Sequence, residues 1–102
     1  MSEPTVVAIT GDLMDRSKIT AAIVGVRVVR PGGDVGEADV VLVDLSLAGA
    51  LDAATASGAR VLAYGSHVDE STLSAARAAG AEAMPRSLFF RRLVEGTLLD
   101  ER

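Results

Sequence analysis

Val40-Val41-Leu42-Val43 is a continuous apolar run closed by a single carboxylate, Asp44. A β-branched run of this length reads as a strand buried on both faces, as in a parallel sheet covered by helices. Asp44 then falls at the strand's carboxyl end, the edge of open α/β sheets where ligands bind near the reversal of strand order. Four more short apolar segments read as strands, at residues 6–10, 26–29, 59–64 and 81–84. Three of them directly follow a glycine: Gly25, Gly58 and Gly80. A glycine there suits the left-handed position just past a helix end, which predicts helices closing near Val24, Ser57 and Ala79.

Helical spacing fills the intervals. The first helix starts near Asp12 or Asp15 and buries Ile19, Ala22 and Ile23. A short Ala-rich helix occupies residues 49–57. The next is capped by Asp69 and buries Leu73, Ala76 and Ala79. The last starts at Ser87, with Phe90, Leu93, Val94 and Leu98 on one stripe and Arg91, Arg92 and Glu95 turned away. It is expected to cover the sheet edge and fray at Asp100-Glu101-Arg102, with Phe89 nearer the surface than Phe90. Between the second and third strands, residues 30–39 contain Pro31, Gly32, Gly33 and Gly36, which do not support a helix. An extended loop or single turn is expected there, leaving one sheet face partly bare as a contact surface.

The alternation of strands and helices gives one α/β domain over residues 1–102. Tyr64, Phe89 and Phe90 are the whole aromatic content, so the core is built mainly from Val, Leu, Ile and Ala. Without cysteine there is no disulfide or thiolate metal site, and the single histidine argues against structural zinc. The net charge of −4 comes from interspersed acids and bases, with no basic block to mark a nucleic-acid partner. Met1-Ser2-Glu3-Pro4-Thr5 does not read as a signal peptide, and no apolar stretch reaches membrane-spanning length. The expectation is a cytoplasmic protein with neither membrane nor nucleic acid as partner.

The order of these elements, with an aspartate ending the third strand, resembles the receiver domain of two-component response regulators. Asp39-Val40-Val41-Leu42-Val43-Asp44-Leu45 is similar to that family's third strand, whose final aspartate accepts a phosphoryl group. Val61-Leu62-Ala63-Tyr64-Gly65-Ser66-His67 looks like the fourth strand and its loop. Ala78-Ala79-Gly80-Ala81-Glu82 resembles the approach to the fifth strand, and Pro85-Arg86-Ser87 stands where the family has a lysine. The resemblance implies a flavodoxin-like, doubly wound sandwich with a five-stranded parallel sheet of order 2-1-3-4-5, its second helix shortened or lost.

The departures bear on chemistry. The family's pair of metal-binding acids after the first strand is replaced by Thr10-Gly11, with Asp12 beside them. Mg²⁺ takes oxygen ligands in near-octahedral geometry, so Asp12 and Asp44 would make at most a weak site. Gly65 stands at the position of the phosphoryl-sensing hydroxyl, and Ser66 comes one residue late. Arg86 keeps the lysine's charge on a longer, planar group suited to bidentate contact. Phosphoryl transfer depends on positioning and charge neutralisation, so these losses together predict a lapsed site. The degenerate pocket would comprise Asp12, Asp44, Gly65, Ser66 and Arg86, with an Asp44–Arg86 ion pair across the sheet edge.

The resemblance therefore implies a non-catalytic regulatory module that binds a protein partner, with no cofactor and no resident metal. Its partner surface would carry Arg77, Phe89, Arg91 and Arg92, a surface that also serves for homodimers. One alternative is a phosphoacceptor using Asp44 in an altered pocket. Another is a small-ligand or nucleotide sensor between Thr10-Gly11-Asp12 and Asp44-Leu45-Ser46, for which fold analogy alone is a weak warrant. An enzyme is not expected: His67 has no Ser or Cys triad partner in motif context and reads as a loop residue before the Asp69 cap. Gly11 before Asp12 could open an anion-binding helix end, but one glycine falls far short of a phosphate loop.

Overall fold

The computed structural model describes residues 3–100. Strand β1 (Val6–Ile9) leads to helix α1 (Leu13–Ala22) and then to β2 (Arg27–Val29). β3 (Val40–Asp44), α2 (Ala50–Ala56), β4 (Arg60–Gly65), α3 (Glu70–Ala78), β5 (Glu82–Pro85) and α4 (Arg86–Glu95) follow. The strands form one all-parallel sheet of order β2-β1-β3-β4-β5, the flavodoxin-like arrangement. Register aligns Ile9 with Val43, Asp44 with Tyr64, and Gly65 with Pro85, so the loops after β1, β3, β4 and β5 open at one edge.

Alternate residues of each strand point to opposite faces. Val7, Ile9, Val41, Val43, Val61 and Ala63 pack against Ala50 and Ala54 of α2 and Leu73 and Ala76 of α3. Val6, Ala8, Val40, Leu42, Leu62 and Tyr64 pack against Ile19 of α1 and Phe89, Phe90 and Leu93 of α4. β3 is buried along its whole length, Asp44 included. Of the positions expected to be buried on the helices, Ala22, Ala79 and Val94 are exposed. Each lies at or beyond the last turn of its helix or beside the buried stripe, where the helix surface has turned away from the sheet.

Asp12 caps α1 through Oδ1, which accepts from the backbone N–H of Met14 and Asp15. Asp69 caps α3 in the same way through Thr72. Gly80 and Gly96 end α3 and α4 in left-handed conformation, with N–H groups of Gly80 and Ala81, and of Gly96 and Thr97, closing on the last turns. Gly96 thus stops α4 at Glu95 and turns the chain so that Leu98 rejoins the core from outside the helix. Of the fray expected at Asp100-Glu101-Arg102, the last two residues lie outside the described residues, and Asp100 is held by its backbone N–H to Thr97 O and by its carbonyl, which accepts from Arg60.

Phe89 is fully buried and Phe90 nearly so, which corrects the expectation that Phe89 lies nearer the surface. α4 starts one residue early, at Arg86, so Arg86, Phe89, Phe90 and Leu93 share one stripe. Tyr64, Phe89 and Phe90, all the aromatics of the chain, form one cluster with ring centroids 4.5–5.1 Å apart.

Residues 30–39 carry no helix, as their composition predicts. The face over β1 is not bare, however. Val35 is buried within the α2/α3-side core, with Val29 and Ala38 packed against it. Arg27 holds the loop down by donating from both terminal nitrogens to the carbonyls of Asp34 and Val35, at 2.9 Å each. A single β-branched side chain takes the place of a helix. Among the described residues no helix is long and apolar enough to cross a membrane.

Candidate functional site

The carboxyl edge of the sheet holds an open cleft of about 510 Å³. Asp12, Asp44, Gly65, Ser66 and Arg86 all line it, so the five residues expected to form a pocket do converge. Asp15, Tyr64, His67 and Asp69 line it as well.

Asp44 is nine-tenths buried. Its Oδ1 accepts the Ser46 N–H at 2.9 Å and the Ser46 hydroxyl at 2.7 Å. Among the described residues its Oδ2 takes no hydrogen bond. Arg86 does not pair with it, which corrects the expected ion pair. Arg86 instead bridges Asp15 in bidentate fashion, Nη1 meeting Oδ2 at 2.8 Å and Nη2 meeting Oδ1.

Asp15 is the residue that the sequence reading missed. It has no solvent exposure, yet it belongs to the first turn of α1. Its Oδ2 also accepts the Tyr64 hydroxyl at 2.9 Å, while the Thr10 hydroxyl lies 3.4 Å from the same phenol. A usable signal was present: Asp15 stands four residues before Ile19, the position that one helical stripe shares with the core.

Electrostatics follow from these contacts. The hydrogen bonds that Arg86 donates to Asp15, opposed by partial burial, raise its guanidinium above the ordinary range. Burial chiefly pushes the Tyr64 phenol up, counteracted by its hydrogen bond with Thr10 and reinforced by the charges of Asp44 and Asp15. The guanidinium carbon of Arg86 sits 5.4 Å over the Tyr64 ring and 5.0 Å over Phe90. Arg86 thus serves carboxylate and rings together, a planar group used as such.

Asp12 spends one oxygen capping α1, and the Asp15 N–H chiefly holds its carboxyl below the ordinary range. Asp69 is lowered by Thr72 and Ser71. His67 and Ser66 are exposed in the loop before α3. Gly65 leaves ordinary van der Waals room for a Cβ, 3.5 Å from Leu45 and Leu73. Among the described residues no group of three or more His, Cys, Asp or Glu converges to hold a metal.

The residues expected on a partner surface divide. Arg91 and Arg92 are exposed on α4. Arg77 is exposed but tied to Glu70 at 2.9 Å and to the Ala83 carbonyl at 3.1 Å. Phe89 is interior and cannot touch a partner, which corrects its assignment to that surface. Comparison with protein-family models, with curated proteins and with solved structures gave no match.

Proposed function

We propose that the chain is a receiver-like regulatory module that works by binding another protein and does not turn over a phosphoryl group. The observation that carries this reading is the bidentate engagement of Arg86 by Asp15. A phosphoryl group on Asp44 would need a nearby cation to neutralise it, and the cation at this edge is already committed to a buried carboxylate. The donor set does not fit a resident Mg²⁺ either. Asp15 is taken by Arg86, Asp12 uses one oxygen as a helix cap, and Thr10 and Gly11 bring no carboxylate. Exposed Arg91 and Arg92, with Val94 beside them, offer α4 as a contact surface.

The test is incubation with acetyl phosphate and Mg²⁺, read by intact mass on the unaltered chain and on Asp44→Asn. No added phosphoryl mass on either is the expected result. Mass added to the unaltered chain and absent from Asp44→Asn would overturn this reading in favour of a phosphoacceptor. The unbonded Asp44 Oδ2 at the cleft is the observation that favours that second reading.

A further inference from the structure

We propose that residues 30–38 form a strap that opens and closes over the β1–β2 end of the sheet while the rest of the chain stays folded, with Arg27 as its latch. The connection from β2 to β3 passes over β1, and both its ends are fixed beside that strand. At one end the Val29 carbonyl accepts the Thr10 N–H at 3.3 Å, and at the other the Asp39 N–H donates to the Thr5 carbonyl at 2.9 Å. Asp39 Oδ2 also accepts the Thr5 N–H at 2.7 Å. Thr5 and Thr10 flank β1, so the hinges hold to the sheet whatever the strap does.

Between the hinges the chain is held by little. The Gly33 N–H donates to the Arg30 carbonyl at 2.8 Å and the Gly36 N–H to Asp34 Oδ1 at 2.8 Å, both within the strap. Among the described residues, the hydrogen bonds that tie residues 31–38 to the rest of the protein are the two from Arg27, Nη1 to the Asp34 carbonyl and Nη2 to the Val35 carbonyl. Arg27 is exposed and enters no ion pair among the described residues. Its bonds are charge-assisted, yet water can replace them at the guanidinium, so their net contribution is modest.

Val35 supplies the apolar hold, with Ala38 half-buried near it. On the same side of the sheet, α2 buries Ala50 and Ala54 and α3 buries Leu73 and Ala76, each on a helix that also bonds its own backbone. The strap buries one side chain fully and has no such ladder. A segment with so few buried contacts opens at a lower free energy than the whole chain unfolds. Gly32, Gly33 and Gly36 add to this, because glycine regains more backbone freedom on release than other residues do. Opening lifts Val35 away and bares Val29, over which Gly33 now lies so closely that a Cβ there would stand 3.1 Å from the Val29 Cβ. The sheet face over β1 thus has a covered state and a bare one, and Arg27 sets the balance.

The chain has no cysteine, so a single introduced thiol reports opening at its own position. Val35→Cys places one under the strap and Val43→Cys one in the centre of the sheet, both at buried sites. With a thiol reagent in excess, Val35→Cys should label roughly a hundredfold faster than Val43→Cys, at a rate that low urea leaves unchanged and that stays below the rate in the unfolded chain. Adding Arg27→Gln should speed labelling of Val35→Cys roughly tenfold and that of Val43→Cys much less. The inference is overturned if both thiols label at one rate with one urea dependence, which means that the strap opens only with the whole fold. It is overturned too if Val35→Cys labels as fast as in the unfolded chain, or if Arg27→Gln leaves its rate unchanged or speeds both thiols alike. A glutamate-specific protease decides the same point without any cysteine, should Val35→Cys misfold. The first cut is expected after Glu37, faster with Arg27→Gln, whereas a Glu37 that resists until the chain unfolds, or that ignores Arg27→Gln, defeats the strap.

Discussion

Arg86 at the start of α4 pairs with Asp15 in the first turn of α1 and not with Asp44, and the two are bonded through both terminal guanidinium nitrogens and both carboxylate oxygens. The bridge joins the two helices that cover one sheet face, directly above the aromatic cluster. Its two members differ in exposure: Asp15 has none, while 44% of the Arg86 side chain is exposed.

That difference predicts unequal costs for breaking the bridge. Arg86→Ala leaves a carboxylate buried without a countercharge and should cost about 3–5 kcal/mol. Asp15→Ala leaves a guanidinium that water can reach and a phenol that still faces Thr10, so about 1–3 kcal/mol is expected. Urea unfolding of both variants and of the double variant checks this. The double variant should cost clearly less than the two single costs added together.

Tyr64, the one tyrosine in the chain, makes a second prediction easy to read. Its phenol is raised in the fold, chiefly by burial, above the ordinary 10.0. Above pH 10 the unfolded chain loses this proton before the folded chain does, so stability is complete below that pH and declines above it. Absorbance near the tyrosinate band should stay flat through pH 10 and rise only as the chain unfolds. Tyr64→Phe should remove this part of the alkaline loss.

Acid should act through the helix caps. Asp12 and Asp69 both sit below the ordinary 3.8 in the folded chain. Their stabilisation is present above that value and is lost as pH falls through their folded values, because the unfolded chain takes up protons first. Denaturant midpoints at neutral pH and near pH 3 should show the drop. Asp12→Asn and Asp69→Asn, which still cap, should make it shallower.

Two glycines predict opposite responses to alanine. A Cβ on Gly65 meets Leu45 and Leu73 at ordinary contact distance, so Gly65→Ala should be neutral or stabilise by up to about 1 kcal/mol through the unfolded chain. A Cβ on Gly33 would lie 3.0 Å from the Arg30 carbonyl oxygen and 3.1 Å from the Val29 Cβ, so Gly33→Ala should destabilise. Thermal midpoints of the two variants decide the contrast.

Val35 carries the last prediction. It fills the face that a helix would otherwise cover, and Val35→Ala removes two buried methyl groups at a cost of about 1–2 kcal/mol. Val35→Asp should cost considerably more by placing a charge against the core, and hydrogen exchange should rise first in residues 30–39.

What was legible in the chain was what strong periodicity or a backbone rule dictates. The β-branched run at Val40–Asp44 and the glycines before β2, β4 and β5 fixed the strands, because few other structures accept those residues. The pairing at the site was less legible. Asp44 and Arg86 are opposite charges at one sheet edge, and nothing local to Arg86 shows that another carboxylate, Asp15, one helical turn before Ile19, is the one it meets. Phe89 was misplaced because the expected stripe ran on through Val94 to Leu98, whereas α4 ends at Glu95, Leu98 joins the core from outside the helix, and the buried face is Phe89, Phe90 and Leu93. Val35 gave no periodic signal, since its burial is set by Arg27 holding a loop rather than by any regular element.

Arg60 at the start of β4 pairs with Glu82 and donates to the carbonyls of Leu99 and Asp100. Glu3 and Pro4 lie against Leu98, Leu99 and Asp100 in a shared groove, at the sheet edge opposite the cleft. The first and last described residues, Glu3 and Asp100, therefore stand at one pole, on the far side of the sheet from Asp44. A support attached at that pole leaves Asp44 and the cleft around it facing away from the surface.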